Sequence, residues 1–199
     1  MIREQPLFRN RSGLTLLELL FAMALGVTLT AVVVPMTANA LEALRAASAA
    51  RYVAGRIMSI RMDAARSSRA VAFRFQPVGT DYEFAPFADT NGNGVRTADI
   101  LGGIDEQLGP YERLSDKFSG IRFSLAPGVP DADGAPGGST DGVRIGVSRI
   151  LTLSPDGTAT SGSLYLLGTR SQYAVRVLGA TGRARVLYFN AGDRTWHNR

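Results

Sequence analysis

The sequence predicts an α+β protein, in which one long N-terminal helix is followed by a small antiparallel β-sheet domain. Two observations in the 199-residue chain carry this prediction. Residues 14–35 are almost entirely apolar, with Glu18 as their only charge. After Ser68 the pattern changes to short apolar or alternating runs separated by Gly, Pro, Asp and Ser. Runs of this kind are typical of strands joined by turns.

The apolar segment is long enough to span a membrane. A helix over residues 14–35 spans about 33 Å at ~1.5 Å per residue, close to the roughly 30 Å of a bilayer's hydrocarbon core. A carboxylate in such a segment is costly, so Glu18 is expected to have a function and a positively charged partner on a neighbouring chain. Arg3, Arg9 and Arg11 precede the segment, which favours a cytoplasmic N-terminus and places the rest of the chain on the other side.

The helix is predicted to continue beyond the membrane, from about residue 14 to residue 69. Pro35 is expected to kink it. Residues 36–70 are predicted to form an amphipathic continuation of the helix that packs on the β domain, because apolar side chains recur there at mostly helical spacing. These side chains are Leu41, Leu44, Val53, Ile57, Ile60 and Ala64.

The β domain, residues 71–199, is predicted to contain eight strands. Turns are expected at residues 155–157 and 179–182, and an exposed loop at residues 126–142, which are rich in Pro, Gly and Asp. The predicted strands cover residues 71–75, 82–87, 121–125, 143–147, 150–153, 164–167, 173–178 and 185–189.

The start of the apolar segment resembles the class III signal of type IV pilins and type II secretion pseudopilins. The residues that carry the resemblance are Gly13-Leu14-Thr15-Leu16-Leu17-Glu18, between a basic leader and an uninterrupted apolar run. The resemblance implies that a prepilin peptidase removes residues 1–13 by cutting between Gly13 and Leu14 and then methylates Leu14. It also implies that Glu18 acts in assembly by pairing with the α-amino group of a neighbouring subunit. The family usually has Phe where this chain has Leu14, and many members have a helix-bending proline where this chain has Pro35.

Other interpretations of this segment explain it less well. A secretory signal peptide would have a shorter apolar region followed by a small-residue cleavage site. A plain single-span anchor would explain the length but not Glu18. A membrane-anchored enzyme or sensor is a third, weaker hypothesis, which predicts that Met1 is retained.

Three later motifs extend the resemblance to the GspH/FimT subgroup of minor pseudopilins. They are Asp89-Thr-Asn91-Gly-Asn93-Gly94, Ser154-Pro-Asp-Gly157 and Thr181-Gly-Arg183. The resemblance implies a structural, non-enzymatic subunit of the type II secretion pseudopilus, held in the inner membrane with a periplasmic β domain. Its partners would be other pseudopilins or minor pilins and the prepilin peptidase. The alternative is a FimT-like minor type IV pilin that acts in pilus assembly or binds DNA during uptake.

The motif at residues 89–94 also has the opening spacing of a calcium-binding loop. Alternating carboxylate and amide oxygens at Asp89, Asn91 and Asn93 around a glycine turn can supply several ligands. Ile100 stands where the bidentate glutamate is expected, although Asp99 lies one residue before it. The competing interpretation is a turn held by its own side-chain hydrogen bonds, with no cofactor. The incomplete ligand set favours the turn over the calcium site.

The second candidate site is Gly182-Arg183-Ala184-Arg185, because alternate residues of a strand point to the same face. With Arg176, Arg194 and Arg199, the two arginines could bind phosphates, and some DNA-uptake minor pilins of the resembled subgroup use a C-terminal Gly-Arg-x-Arg. The alternative is a hairpin whose arginines pair with the acidic middle of the chain. Residues 71–141 carry eleven acidic and five basic side chains, whereas residues 142–199 carry two acidic and eight basic ones.

Composition argues against catalysis. The chain has no cysteine, and its single histidine, His197, lies close to the C-terminus. Thiol chemistry is therefore impossible and a Ser-His-Asp arrangement is implausible. No glycine-rich phosphate-binding loop is present, so any ATPase that drives assembly would be another protein.

Overall fold

The computed structural model describes residues 15–134 and 138–199. The predicted leader, together with Gly13 and Leu14, lies outside the described residues. The chain divides into two compact units, the first ending at Ala40 and the second comprising Leu41–Arg199. A long N-terminal apolar helix followed by antiparallel sheets confirms the α+β class.

Helix α1 extends over Leu16–Ser67, a length of 52 residues, and Pro35 lies inside it. The predicted long helix is therefore confirmed, whereas the kink at Pro35 stays a prediction. The helix ends where Ser68 takes a left-handed conformation, with φ of 51°, because such a residue interrupts the helical hydrogen-bond pattern.

The first unit is the part of α1 that is suited to lipid. By length and composition, the helix is able to cross a membrane. Thr28, Thr30 and Thr37 donate their hydroxyl groups to backbone carbonyls one turn earlier, at 2.8–3.1 Å. These hydroxyls are satisfied within the helix, as hydrocarbon surroundings require.

The first sheet of the second unit has the strand order β3-β2-β1-β7, with β4 also pairing with β2. All its pairings are antiparallel. Two short helices, α2 (Thr97–Leu101) and α3 (Leu114–Lys117), lie between its strands in the chain. The strands are β1 (Val71–Val78), β2 (Asp81–Ala88), β3 (Glu106–Gln107), β4 (Glu112–Arg113) and β7 (Ile150–Leu153).

The second sheet has the order β11-β10-β9-β8-β5, with β6 also pairing with β8. It is antiparallel as well. Its strands are β5 (Arg122–Phe123), β6 (Val143–Arg144), β8 (Gly162–Leu167), β9 (Gln172–Leu178), β10 (Arg183–Asn190) and β11 (Thr195–Asn198).

The sequence predicted the long strands and missed the short ones. All eight predicted runs contain a strand, but the runs at 121–125 and 143–147 shrink to the two-residue strands β5 and β6. Strands β3, β4 and β11 were not predicted. Two residues are too few to show alternation, and β11 is polar and lies beside the C-terminus.

The main core joins one face of α1 to the inner faces of both sheets. Ile57 and Ile60 are buried there, as predicted, together with the aromatic rings of Phe73 and Phe84. The prediction was wrong for Leu41 and Leu44, which are 52% and 59% exposed. Four buried alanines form the start of the packed face instead. They are Ala46, Ala47, Ala49 and Ala50.

Each sheet has a second, smaller core on its outer face. On the first sheet, Ala72, Phe87 and Ile150 pack with Val95 from the loop between β2 and β3. On the second sheet, the residues preceding the gap at 135–137 pack over a cluster that includes Tyr165 and Leu187. We call residues 126–134 the strap. The prediction that residues 126–142 form one exposed loop was wrong for Val129 and Gly142, which are buried, whereas Pro127, Gly128, Asp133 and Gly134 are exposed as predicted.

Candidate functional sites

The N-terminus of α1 is held by a reciprocal pair of hydrogen bonds between Thr15 and Glu18. The backbone N–H of Glu18 donates to Thr15 Oγ1 at 3.2 Å, and the backbone N–H of Thr15 donates to Glu18 Oε2 at 3.4 Å. This is a capping box, which satisfies two N–H groups that the first helical turn leaves unpaired. Glu18 therefore has a structural role within its own chain, and the assembly role stays a prediction.

Asp89 organises the turn that the sequence singled out for calcium. Its carboxylate is buried, with 6% of the residue exposed. Oδ1 accepts the N–H groups of Asn91 and Gly92 at 3.2 and 2.8 Å, and Oδ2 accepts that of Gly94 at 2.7 Å. Gly92 and Gly94 have φ of 77° and 84°, a conformation that favours glycine. The alternative interpretation, a turn held by its own side chain, is thus present in the structure.

The other predicted calcium ligands lie near one another without forming a cluster of carboxylates. Asn91 Nδ2 approaches Asp99 Oδ2 at 3.5 Å, and Asn91 Oδ1 accepts the N–H of Asn93 at 3.2 Å. Within residues 15–134 and 138–199, no group of three or more His, Cys, Asp or Glu side chains is arranged to hold a metal ion. Calcium binding stays a prediction.

Asp105 is a buried carboxylate that sequence reasoning missed. Its two oxygens accept the backbone N–H groups of Thr90 and Arg96, at 3.4 and 3.2 Å. Asp105 thereby holds both ends of the loop that follows Asp89, at Thr90 and at Arg96. Nothing in its local sequence marks it, because its partners are nine and fifteen residues away.

Arg183 and Arg185 lie at the start of β10, after the predicted turn at 179–182. Gly182 has φ of 57°, and a Cβ on it would come 2.6 Å from the carbonyl oxygen of Gly157. The predicted turns at residues 155–157 and 179–182 therefore contact each other at Gly157 and Gly182. Both arginines are exposed, and they share the outer face because Ala184 and Val186 pack on the main core.

The two arginines continue a row of polar side chains that crosses the second sheet. Arg185 is in register with Arg176 on β9, Arg176 with Ser163 on β8, and Ser163 with Arg144 on β6. Residues paired in this way share one face of a sheet. We call Arg144, Ser163, Arg176 and Arg185 the arginine row. The sequence could not show it, because Arg144 is far from the others along the chain.

The strap supplies carboxylates to half of this row. Asp131 pairs with Arg144, and Asp133 pairs with Arg176. Two hydrogen bonds also hold the strap, one before these acidic residues and one between them: Trp196 Nε1 donates to the carbonyl of Pro130 at 2.9 Å, and Ala132 N donates to the hydroxyl of Tyr165 at 2.9 Å. In the part of the chain that the structure describes, Arg183 and Arg185 have no ion pair. The predicted pairing of the basic C-terminal part with the acidic middle therefore occurs, but through other arginines.

Glu112 forms a charged cluster that fastens β4 and α3 to α1. Its carboxylate accepts hydrogen bonds from Tyr52 and from Arg56, the latter at 2.7 Å, and lies 3.0 Å from Lys117 Nζ. Burial alone would raise the pKa of Glu112, but the hydrogen bonds from Tyr52 and Lys117 and the charge of Arg56 outweigh it and lower the pKa. This carboxylate is therefore ionised wherever the fold is intact near neutral pH.

A second polar cluster joins Tyr82, Asp141 and Arg149. The hydroxyl of Tyr82 donates to Asp141 at 2.7 Å, and Arg149 donates to the same carboxylate at 3.1 Å. Burial, together with the hydrogen bond and the charge of Asp141, raises the pKa of Tyr82 to about 12. The phenol therefore stays protonated and donates its hydrogen bond at neutral pH. Because Tyr82 lies in β2 and its partner Asp141 lies just before β6, this hydrogen bond indicates a structural role.

His197 does not form a catalytic relay. It lies in β11, which is paired with β10, and its ring stacks on Tyr188. Thr195 Oγ1 and Asp193 Oδ2 both approach Nε2, each at 2.8 Å. A Ser-His-Asp type relay needs the nucleophile and the carboxylate on opposite ring nitrogens. This geometry does not offer that arrangement, and the prediction that the chain is not an enzyme stays a prediction.

Comparison with known proteins adds no relative. No protein-family model, no curated protein and no solved structure matches the chain at a significant level.

Proposed function

We propose that this chain is a minor pseudopilin, a structural subunit of a type II secretion pseudopilus that is anchored in the inner membrane by the first half of α1. The observation that carries the proposal is the capping box at Thr15 and Glu18. It starts an apolar helix directly after the Gly13-Leu14 pair at which the resembled family is cleaved. Both residues of the box follow that bond, so removal of the leader would leave the start of the helix intact.

Two further features support the proposal. The threonine hydroxyls of the first unit are satisfied by their own helix, which suits a subunit whose helix is surrounded by lipid and by other apolar helices. The second unit has its own core, so it can form the periplasmic domain. In the assembled filament, Glu18 would exchange its capping contact for the free α-amino group of a neighbouring subunit.

Mass spectrometry of the native protein tests the proposal. We expect the mature chain to begin at Leu14 and to carry one N-methyl group there. A matched variant, Gly13→Val, should retain the leader, because a β-branched residue replaces the glycine at the predicted cut. Retention of Met1 in the wild-type protein would contradict the proposal and would favour a membrane-anchored enzyme or sensor.

The second candidate function is that of a FimT-like minor type IV pilin that binds DNA. The observation that favours it is the exposure of Arg183 and Arg185 on one face of β10. A gel-shift experiment with the full chain in detergent tests it. If two phosphate contacts are made, Arg183→Ala plus Arg185→Ala should abolish binding or reduce the slope of log K against log salt by about 1.8. Salt-sensitive binding that survives this double variant would remove the role of these arginines.

A further inference from the structure

The strap shows what kind of ligand the outer face of the second sheet accepts. Asp131 and Asp133, separated by one residue, meet Arg144 and Arg176, two arginines of the row that lie two strands apart. Strands are about 4.8 Å apart, so two intervals amount to about 10 Å. Residues 131–134 form a turn, in which Gly134 N–H donates to the carbonyl of Asp131 at 2.9 Å, and the long arginine side chains reach its two carboxylates. An acidic turn with carboxylates at alternate positions therefore already pairs with two arginines of the row.

Arg183 and Arg185 extend this line of arginines onto β10, where no carboxylate of the strap reaches them. Arg185 lies in register with Arg176 on the neighbouring strand, and Arg183 stands two residues before it on the same face. A groove of about 320 Å³ lies beside Arg176, along strands β8 and β9. Asp133, Arg176 and Ser161 are among the residues that line it. Within residues 15–134 and 138–199, neither Arg183 nor Arg185 forms an ion pair.

We propose that Arg183 and Arg185 bind an acidic segment of another protein subunit, one that presents carboxylates at alternate positions as Asp131-Ala132-Asp133 does. The inference rests on the proposed role as a filament subunit, which would bring the exposed domain next to neighbouring subunits. The bound segment would extend the row of ion pairs that the strap begins. Arginine suits this role because its planar guanidinium group donates two parallel hydrogen bonds to one carboxylate.

The surroundings of the two arginines favour a carboxylate ligand over a nucleic acid strand. Single-stranded nucleic acids bind by stacking bases on aromatic rings beside a basic groove. The residues opposite Arg183 and Arg185 on β9 are Leu178 and Arg176. The aromatic rings on this face, Tyr165, Phe189 and Trp196, pack together next to the strap. They are buried or partly buried in that cluster and do not form a stacking platform beside the two arginines.

The test measures binding of a fluorescein-labelled peptide of four Asp-Ala repeats to the full chain in detergent micelles, by fluorescence anisotropy at an ionic strength of about 0.15 M. We expect the peptide to bind, and binding to weaken at least about tenfold in Arg183→Gln plus Arg185→Gln, because two charge-assisted hydrogen-bonding partners are lost. The matched control is Arg51→Gln plus Arg66→Gln. It removes the same charge from exposed positions on α1 and should leave the affinity within about twofold, because charges away from the site are largely screened.

A peptide of four Asn-Ala repeats is the ligand control and should not bind. The proposal is overturned if the acidic peptide does not bind, or if the Arg183→Gln plus Arg185→Gln variant binds it as tightly as the wild type does. It is also overturned, in favour of the DNA-binding candidate, if duplex DNA binds to these arginines much more tightly than the peptide and displaces it. Far-UV circular dichroism should show that both double variants keep the wild-type fold, as expected for exposed side chains.

The failure of this inference and the failure of the proposed function give different results. A chain that begins at N-methyl-leucine but does not bind the peptide remains a pseudopilin without this docking surface. A chain that retains Met1 but binds the peptide at Arg183 and Arg185 has the acidic-segment site without the filament role.

Discussion

The two units of the chain contain similar aliphatic side chains and use them in opposite ways. In the first unit Leu25, Val27 and Leu29 of α1 are exposed, each by more than half of its surface. In the second unit Ile57 and Ile60 of the same helix are almost fully buried. The first unit thus presents an exposed apolar surface that is long enough to cross a membrane, and the second is a folded domain with an interior.

The two units also differ in how their carboxylate groups are stabilised. In the second unit the buried Asp89 and Asp105 and the half-buried Glu112 each have several donors, so they stabilise the fold. In α1 up to Ala40 the single carboxylate, Glu18, lies at the N-terminal end of the helix, where its donor belongs to the backbone. Substitutions in the second unit should therefore change domain stability, whereas substitutions in the first should change behaviour in the membrane.

The largest expected effect comes from the core of the second unit. Ile57→Ala should lower the free energy of unfolding of the β domain by about 2–5 kcal/mol, since it removes buried methyl groups and leaves a cavity. The measurement is urea denaturation of the full chain in detergent, followed by the circular dichroism of the sheets. Leu25→Ala is the matched control and should change this value by less than about 0.5 kcal/mol. Equal losses for the two variants would break the comparison.

The next effect concerns pH and the cluster around Glu112. Because its pKa is lowered in the folded state from the ordinary 4.5, the stability it contributes is present above that value and is lost as the pH falls through the folded pKa. Glu112→Gln should cost about 1–3 kcal/mol at neutral pH, because it leaves Arg56 and Lys117 without a carboxylate. The variant should also lose less stability than the wild type between pH 5 and about pH 3. Parallel pH profiles of the two proteins would contradict this role of Glu112.

A loss of similar size is expected at the turn of residues 89–94. Asp89→Ala should cost about 1–3 kcal/mol, because three backbone N–H groups lose their acceptor. Since Asp89 already satisfies this turn, we expect the thermal midpoint of the wild type to be the same in calcium and in a chelator. A midpoint that rises with calcium in the wild type but not in Asp89→Ala would establish the calcium site instead.

The smallest effect on stability should come from Glu18. Glu18→Gln preserves the capping box, because glutamine can accept the same N–H, and should change unfolding of the β domain by less than about 0.5 kcal/mol. If the charge serves assembly, Glu18→Gln should nevertheless fail to enter the filament. Thr15→Ala, which weakens the cap but keeps the charge, should still enter it. The measurement is the amount of each variant in sheared filament fractions, and normal entry of Glu18→Gln would contradict the assembly role.

The sequence predicted the helix and the long strands because their signals are local. Hydropathy over residues 14–35 and alternation in runs such as 173–178 depend only on neighbouring residues. Leu41 and Leu44 were misplaced because helical spacing does not show where the sheets begin to cover the helix. Four alanines, which carry little hydrophobic signal, form the contact there.

The candidate sites divide in the same way. The turn at Asp89 and the position of Arg183 and Arg185 on one face followed from spacing alone. Asp105, Glu112 and the arginine row could not be predicted, because each depends on residues brought together by strand register or by packing against α1. The packing of residues 126–134 on the second sheet was missed for a related reason. Pro, Gly and Asp predict a loop but do not show what the loop packs against.

Trp196 gives the strap an optical reporter. It is the only tryptophan of the chain, and its indole contacts Tyr165 and Phe189 while Nε1 donates to Pro130 of the strap. All intrinsic tryptophan emission therefore comes from the point where the strap meets β11. Any ligand that lifts the strap should expose the indole to water and shift the emission maximum to the red, whereas a ligand that binds only at Arg183 and Arg185 should leave the spectrum unchanged. One unlabelled fluorescence titration thus distinguishes displacement of the strap from extension of its row of ion pairs.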